Sequence, residues 1–207
     1  FILAALTGTL CSQTIRVDAG SVIRVFNDHP VGINVNYLMD DDAYLKPEIP
    51  VAQALKEMKV GIIRYPGGEK SDNYLWSVPP YDAANPHFAT LGTCNWPNGD
   101  NRFSSDGISP LPYTLDFDEF MELCAETGAE PLIVVSGDAH LCDVCPVAPT
   151  LDTLIRNAVE WIQYANIVHD YRIKYWVGGN ESFHSSAYGT PGTALQYAND
   201  FIRFARA

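Results

Sequence analysis

Ile173-Lys174-Tyr175-Trp176-Val177-Gly178-Gly179-Asn180-Glu181-Ser182 decides how this chain is read. A β-branched and aromatic run suits a buried strand, and the two glycines that end it mark a sharp exit. That exit presents an amide and a carboxylate side by side. By itself, Gly-Gly-Asn-Glu is also the signature of a plain turn into the next helix. The order of the surrounding elements separates the two readings.

Working upstream, Leu151, Leu154, Ile155, Ala158, Val159, Ile162 and Ala165 keep a helical stripe. Before it, Pro131-Leu132-Ile133-Val134-Val135-Ser136-Gly137 is a continuous apolar strand of the kind that helices cover on both faces. Asp116 and Glu119 form a D-x-x-E capping pattern for a helix facing inward through Phe117, Phe120, Met121, Cys124 and Ala125, and Gly128 ends it. Ile62-Ile63-Arg64-Tyr65-Pro66-Gly67-Gly68 is an earlier strand with its exit. Pro50 opens a short helix with Val51, Ala54, Leu55 and Met58 on one face. Val31 to Met39 is a further strand. Downstream, Thr193-x-x-Gln196 caps a helix with Leu195, Ala198, Phe201 and Ile202 inward.

Strand then helix, repeated, means a parallel α/β sheet with right-handed crossovers. No glycine-rich phosphate fingerprint follows the first strand, which counts against a dinucleotide fold. The fold class expected is α/β, the N-terminal half of a (β/α)8 barrel with four strand–helix units. A closed barrel needs eight such units and roughly 250 residues, so the 207 residues are expected to be truncated at the C-terminal side. Three segments result: residues 1–12 as a signal-peptide remnant, 13–30 as a β-hairpin of an accessory β element, and 31–207 as the partial barrel. The leader is read from the apolar run Phe1 to Leu10, with a buried first strand as the alternative. The hairpin is read from apolar–polar alternation on either side of Asp18-Ala19-Gly20-Ser21.

With 47% hydrophobic residues, the chain has ample material for a core. Its net charge of −12 repels phosphate backbones, and no Lys/Arg cluster offsets it, so a nucleic-acid partner is not expected. No apolar run is long enough to span a bilayer. A neutral carbohydrate fits the charge, a secreted or periplasmic location fits the leader, and no oligomeric state is specified. Besides Cys11 in the leader there are Cys94, Cys124, Cys142 and Cys145. Cys124 lies on a helix face as a buried thiol, and one disulfide is expected among the other three. His140-x-Cys142-x-x-Cys145 has part of a zinc pattern, with a disulfide or free thiols as the other reading. Asp40-Asp41-Asp42 is either a solvated loop or a calcium ligand run.

Between Glu69 and Tyr113 turn residues and aromatics dominate. Tyr74, Trp76 and Trp96 either stack on sugar rings or hold this loop down. At the C-terminal rim of a parallel barrel, where chemistry sits, Glu181 becomes the catalytic candidate and Asn180 its helper. His184 is a subsite candidate.

Three blocks carry a family resemblance: Arg64-Tyr65-Pro66-Gly67-Gly68, Asp118 to Cys124 with Thr127-Gly128-Ala129-Glu130-Pro131, and Ile173-Lys174-Tyr175-Trp176 with Gly179-Asn180-Glu181. Together they resemble the α-L-arabinofuranosidases of glycoside hydrolase family 51, within the clan of retaining (β/α)8 glycosidases. The resemblance implies Glu181 as general acid/base, Asn180 on the sugar 2-hydroxyl, and Arg64 supporting the catalytic carboxylates. It implies no cofactor, and a nucleophile on a seventh strand that this chain lacks, so the polypeptide alone is expected to be inactive. The chain departs from the pattern at Val177-Gly178 and at Ser136-Gly137, which leaves the sugar open. A β-xylosidase, a β-glucuronidase, an agarase or a non-catalytic carbohydrate-binding barrel are the alternatives.

Overall fold

A computed structural model describes residues 15–18, 20–22, 31–37, 49–90, 114–143, 145, 147–184 and 191–207. The expected leader, the Asp40 to Asp42 run, Cys94 and Trp96 lie outside the described residues, as does the second arm of the hairpin from Ile23. The Asp18–Ser21 turn is closed by Gly20 N–H donating to Asp18 Oδ1 at 3.0 Å, and residues 15–18 before it carry no strand assignment.

Four strands build one parallel sheet in the order β1-β2-β5-β6: β1 (Gly32–Asn34), β2 (Ile62–Tyr65), β5 (Glu130–Val135) and β6 (Tyr175–Gly178). Helices α1 (Val51–Glu57), α2 (Phe117–Thr127) and α3 (Leu151–Ile162) make the crossovers, and α4 (Ala194–Arg206) follows the last strand. Sequential neighbours in the sheet with a helix between each pair are what right-handed crossovers produce. Between β2 and α2 the chain inserts a 3₁₀ turn (Glu69–Asn73) and a two-residue antiparallel pair, β3 (Tyr74–Leu75) with β4 (His87–Phe88). The long aromatic segment therefore has local order that no sequence period announced.

The strand pattern is local chemistry made visible. In β2, Ile63 and Tyr65 are fully buried toward the helices, whereas Ile62 and Arg64 occupy the other face. Tyr65 stacks on Phe120 of α2 at 4.5 Å between ring centres. Its hydroxyl donates to Leu115 O at 2.8 Å and so accepts from Tyr74 Oη at 2.7 Å. Burial keeps both phenols protonated far above their ordinary range.

The expected D-x-x-E signal is realised in full: Asp116 Oδ1 accepts from Glu119 N–H, and Glu119 Oε2 accepts from Asp116 N–H, both at 2.9 Å. Gly128 closes α2 in the left-handed region at φ 71°. Asp116→Ala removes one arm of this box and should cost about 1 kcal/mol, read as a lower urea midpoint with an unchanged slope.

Several inward positions differ from expectation. Ala125 is exposed and Leu123 packs on the core in its place. Met58 is exposed because α1 ends at Glu57 and the chain turns at Lys59, whose φ is 53°. On α3 the buried stripe runs through Leu151, Leu154, Ala158 and Trp161, while Ile162 faces out. Helix α4 is capped as expected by Thr193, whose hydroxyl accepts from Gln196 N–H, yet none of its residues is buried. Leu195, Ala198, Phe201 and Ile202 all stay exposed, because β6 is the outermost strand of the described sheet; Phe201 lies over Gly178 of β6, and only Phe204 reaches the core. Tyr175 and Val177 of β6 are uncovered for the same reason.

Among the cysteines, Cys142 and Cys145 form a disulfide just after the short 3₁₀ turn Ala139–Leu141, so neither is a free metal-ligating thiol. Cys124 is a buried thiol, pushed up to about 12 by burial. Among the described residues no helix is long and apolar enough to cross a membrane.

Candidate active site

Parallel pairing puts the C-terminal ends of all four strands on one rim. Asn34, near the end of β1, pairs with Arg64 of β2. Arg64 lies on the strand face opposite the helix-packed core, so its guanidinium is free to run along that rim. Nη1 donates to Asn34 Oδ1 at 3.2 Å, and Nη2 donates to Asn180 Oδ1 at 2.9 Å. The second bond ties together residues 116 positions apart. Burial draws Arg64 below its ordinary value, and the negative charges of Asp72 and Glu181 oppose that shift. Glu181 thus lies within electrostatic reach of Arg64, with an exposed side chain at the mouth of the sheet.

The turn that carries Glu181 is shaped by close approach. Gly179 (φ 72°) donates its N–H to Val135 O at 2.9 Å, which continues the β5–β6 ladder past the last residue of β6. A Cβ on Gly137 would lie 2.9 Å from Gly179 N and 3.0 Å from its Cα, so a larger residue at 137 displaces the turn. Glu181 itself has φ 48°, a left-handed conformation costing about 1–2 kcal/mol for a residue with a Cβ. Non-glycine strain of this kind concentrates where function requires a fixed geometry. The turn is stitched on both sides: His184 N–H donates to Glu181 O at 2.7 Å, and Gly192 N–H donates to Ser182 O at 2.8 Å.

Two carboxyl groups that sequence reasoning missed lie under this turn. Asp72, from the 3₁₀ turn after β2, is buried and accepts from Asn180 N–H at 3.1 Å. Asp138, just past β5, accepts from Ser182 Oγ at 2.9 Å. Burial first, then the charge of Asp138, raises Asp72 to about 8. Asp138 is raised too, chiefly by burial, against the pull of the Ser182 hydroxyl and of His140. Neither aspartate belongs to a motif, so only contact across the sheet reveals them. Asn34 was likewise hidden inside a strand pattern.

Of the predicted site residues, the structure brings Arg64, Asn180 and Glu181 to one rim and places His184 one turn beyond Glu181. Tyr74 and Trp76 are elsewhere. Trp76 is fully buried, stacked on Trp161 and lying 4.7 Å from the Tyr164 ring, with Nε1 donating to Asn157 O at 3.1 Å. Tyr74 is buried between Tyr37 and Tyr65. Neither ring has a face open to a sugar, so the stacking expectation is corrected in favour of core packing. His140 faces Asp200 at 3.2 Å, and among the described residues no cluster of three His, Cys, Asp or Glu side chains is placed to hold a metal.

No protein-family model matches the chain. Curated proteins do. It is 32% identical over 165 positions to α-L-arabinofuranosidase C of Emericella nidulans, covering 70% of this chain and 26% of that enzyme. The same figures hold for a probable α-L-arabinofuranosidase C of Aspergillus fumigatus. This chain resembles the arabinofuranosidases. It spans about a quarter of the length of the curated relatives it matches. Among solved structures, an arabinofuranosidase superposes with a TM-score of 0.56 at 23% identity, over 92% of this chain and 40% of the other. A family 51 α-L-arabinofuranosidase from Thermotoga petrophila gives 0.55 at 22% identity, over 90% and 39%. The mixed α/β architecture with its parallel sheet is therefore part of the fold seen in arabinofuranosidases.

Proposed function

We propose that this chain is the N-terminal half of the (β/α)8 barrel of a retaining glycoside hydrolase, an exo-acting α-L-arabinofuranosidase on plant-type polysaccharide. The observation that carries the proposal is the Arg64–Asn180 bond at the strand ends, with Glu181 the next residue on the same rim. In this reading Glu181 is the general acid/base. A glycosidic oxygen leaves poorly, so a carboxylic acid beside it donates a proton as the bond breaks, and the resulting carboxylate then activates water. A second carboxylate on a later strand, about 5–5.5 Å away in retaining enzymes, attacks the anomeric carbon.

Asn180 holds the sugar 2-hydroxyl, a contact that strengthens in the oxocarbenium-like transition state. Because Arg64 occupies Asn180 Oδ1, the Asn180 amide NH₂ is the group presented to the sugar oxygen. Arg64 also provides the positive charge that keeps a nucleophilic carboxylate ionised beside the acid. His184 borders the leaving-group side. The uncovered apolar surface of β6 and α4 fits a strand and helix continuing the barrel, and its burial there removes the exposed sheet edge. The net charge of −12 suits a neutral polysaccharide outside the cell.

A panel of 4-nitrophenyl glycosides tests the reading. The full-length protein should cleave the α-L-arabinofuranoside in preference to the β-xyloside and β-glucuronide, and the 207-residue chain alone should cleave none of them. A full-length protein that binds arabino-oligosaccharide without turnover identifies a carbohydrate-binding barrel instead.

A further inference from the structure

Three observations converge beneath Glu181. Asp72, on the turn after β2, and Asp138, on the turn after β5, approach the same backbone segment from two different elements. Asp72 Oδ1 accepts from Asn180 N–H, on the residue before Glu181. Asp138 Oδ2 accepts from Ser182 Oγ, on the residue after it. The strained Glu181 backbone is therefore gripped on both sides by carboxyl groups. Asp72 is anchored in turn, since its own carbonyl accepts from the buried Ser136 hydroxyl.

We propose that Asp72 and Asp138 are positioning residues for the acid/base step, a carboxyl pair that fixes the Asn180–Ser182 turn and so holds the Glu181 carboxylate at its distance from Arg64. The proposal rests on the glycosidase reading above for its chemistry, though not for its geometry. It has a pH signature. Arg64, Glu69 and Asp138 face Asp72, while His140, Asp200 and Ser182 face Asp138. With Asp72 raised to about 8, its proton is retained at neutral pH, and one of the pair stays uncharged. Because the folded value exceeds the ordinary 3.8, the stability from this group is full below that value and is lost as pH rises through about 8. The two charges then repel, and the grip on the turn loosens.

Asp72→Asn keeps an oxygen for the Asn180 N–H and removes the ionisation; Asp72→Ala removes both. In the full-length enzyme, Asp72→Ala should lower kcat on phenyl α-L-arabinofuranoside about 10–100-fold, with KM within about twofold. The loss should be smaller on the 2,4-dinitrophenyl glycoside, whose leaving group needs no acid. Asp72→Asn should restore kcat at pH 6 and extend the alkaline limb of the kcat profile beyond that of the parent. An unchanged alkaline limb in Asp72→Asn, or equal losses on both leaving groups in Asp72→Ala, overturns the proposal.

A parent protein inactive on every glycoside removes the glycosidase reading alone. The geometry is then decided with asparagine-selective 15N labelling. The Asn180 amide resonance should titrate with a midpoint near 8 in the parent and stay fixed in Asp72→Asn. A parent resonance that does not move across this range sinks the pairing.

Discussion

Glu181→Ala in the full-length enzyme lowers kcat on phenyl α-L-arabinofuranoside by about 10²–10⁴-fold, the usual contribution of a positioned general acid. The loss depends on the leaving group. Phenoxide needs a proton at the transition state, whereas 2,4-dinitrophenoxide leaves without one, so formation of the glycosyl-enzyme on the activated substrate should keep most of its parent rate. Its hydrolysis still lacks a base, so a covalent intermediate accumulates, and added azide, which needs no base, should accelerate turnover and yield a glycosyl azide. Parent-level turnover on the phenyl glycoside would remove Glu181 from the mechanism. A uniform loss on both substrates would make it a structural residue of the turn rather than a proton donor.

Trp76→Ala should destabilise the protein by about 3–5 kcal/mol, because it deletes a fully buried ring from the centre of the aromatic core. For a domain of this size that lowers Tm by roughly 6–20 °C. The indole contacts Trp161, Tyr164, Phe117 and Tyr81, and its N–H satisfies the Asn157 carbonyl. Asn157 returns the tie, its side-chain amide donating to Ser77 O at 2.8 Å. Trp76→Phe keeps a ring and loses the donor, and should fall between parent and Ala. Thermal unfolding read beside KM separates packing from sugar stacking. Packing predicts a lower Tm with KM of the folded fraction unchanged, whereas a raised KM at constant Tm would return Trp76 to the binding surface.

Alternation of strand and helix was legible because each element has a period that no other residue is needed to define. The capping box at Asp116 and Glu119, the glycine stop at Gly128 and the continuous apolar run of β5 all appear in the structure where the sequence places them. Asn180 and Glu181 were singled out as a strand end and Arg64 through the family resemblance; parallel order puts the three on one rim. Misreadings came where side-chain type was asked to specify surroundings. An aromatic ring in a segment rich in turns can face sugar or core, and Trp76 and Tyr74 went inward. An apolar stripe such as that of α4 implies a partner without supplying one.

What the sequence by itself determined is the order of the strands and helices of the parallel sheet, because hydrophobic period, capping and turn chemistry act over a few residues. It also determined which strand ends carry polar groups. Only the tertiary structure decided that Asn34 lies beside Arg64, that Arg64 engages the Asn180 side chain, and that Asp72 and Asp138 grip the backbone on either side of Glu181. Those contacts join segments far apart in the chain. They depend on strand register and on burial, and burial sets the proton affinity of a carboxyl group only once the sheet has formed around it.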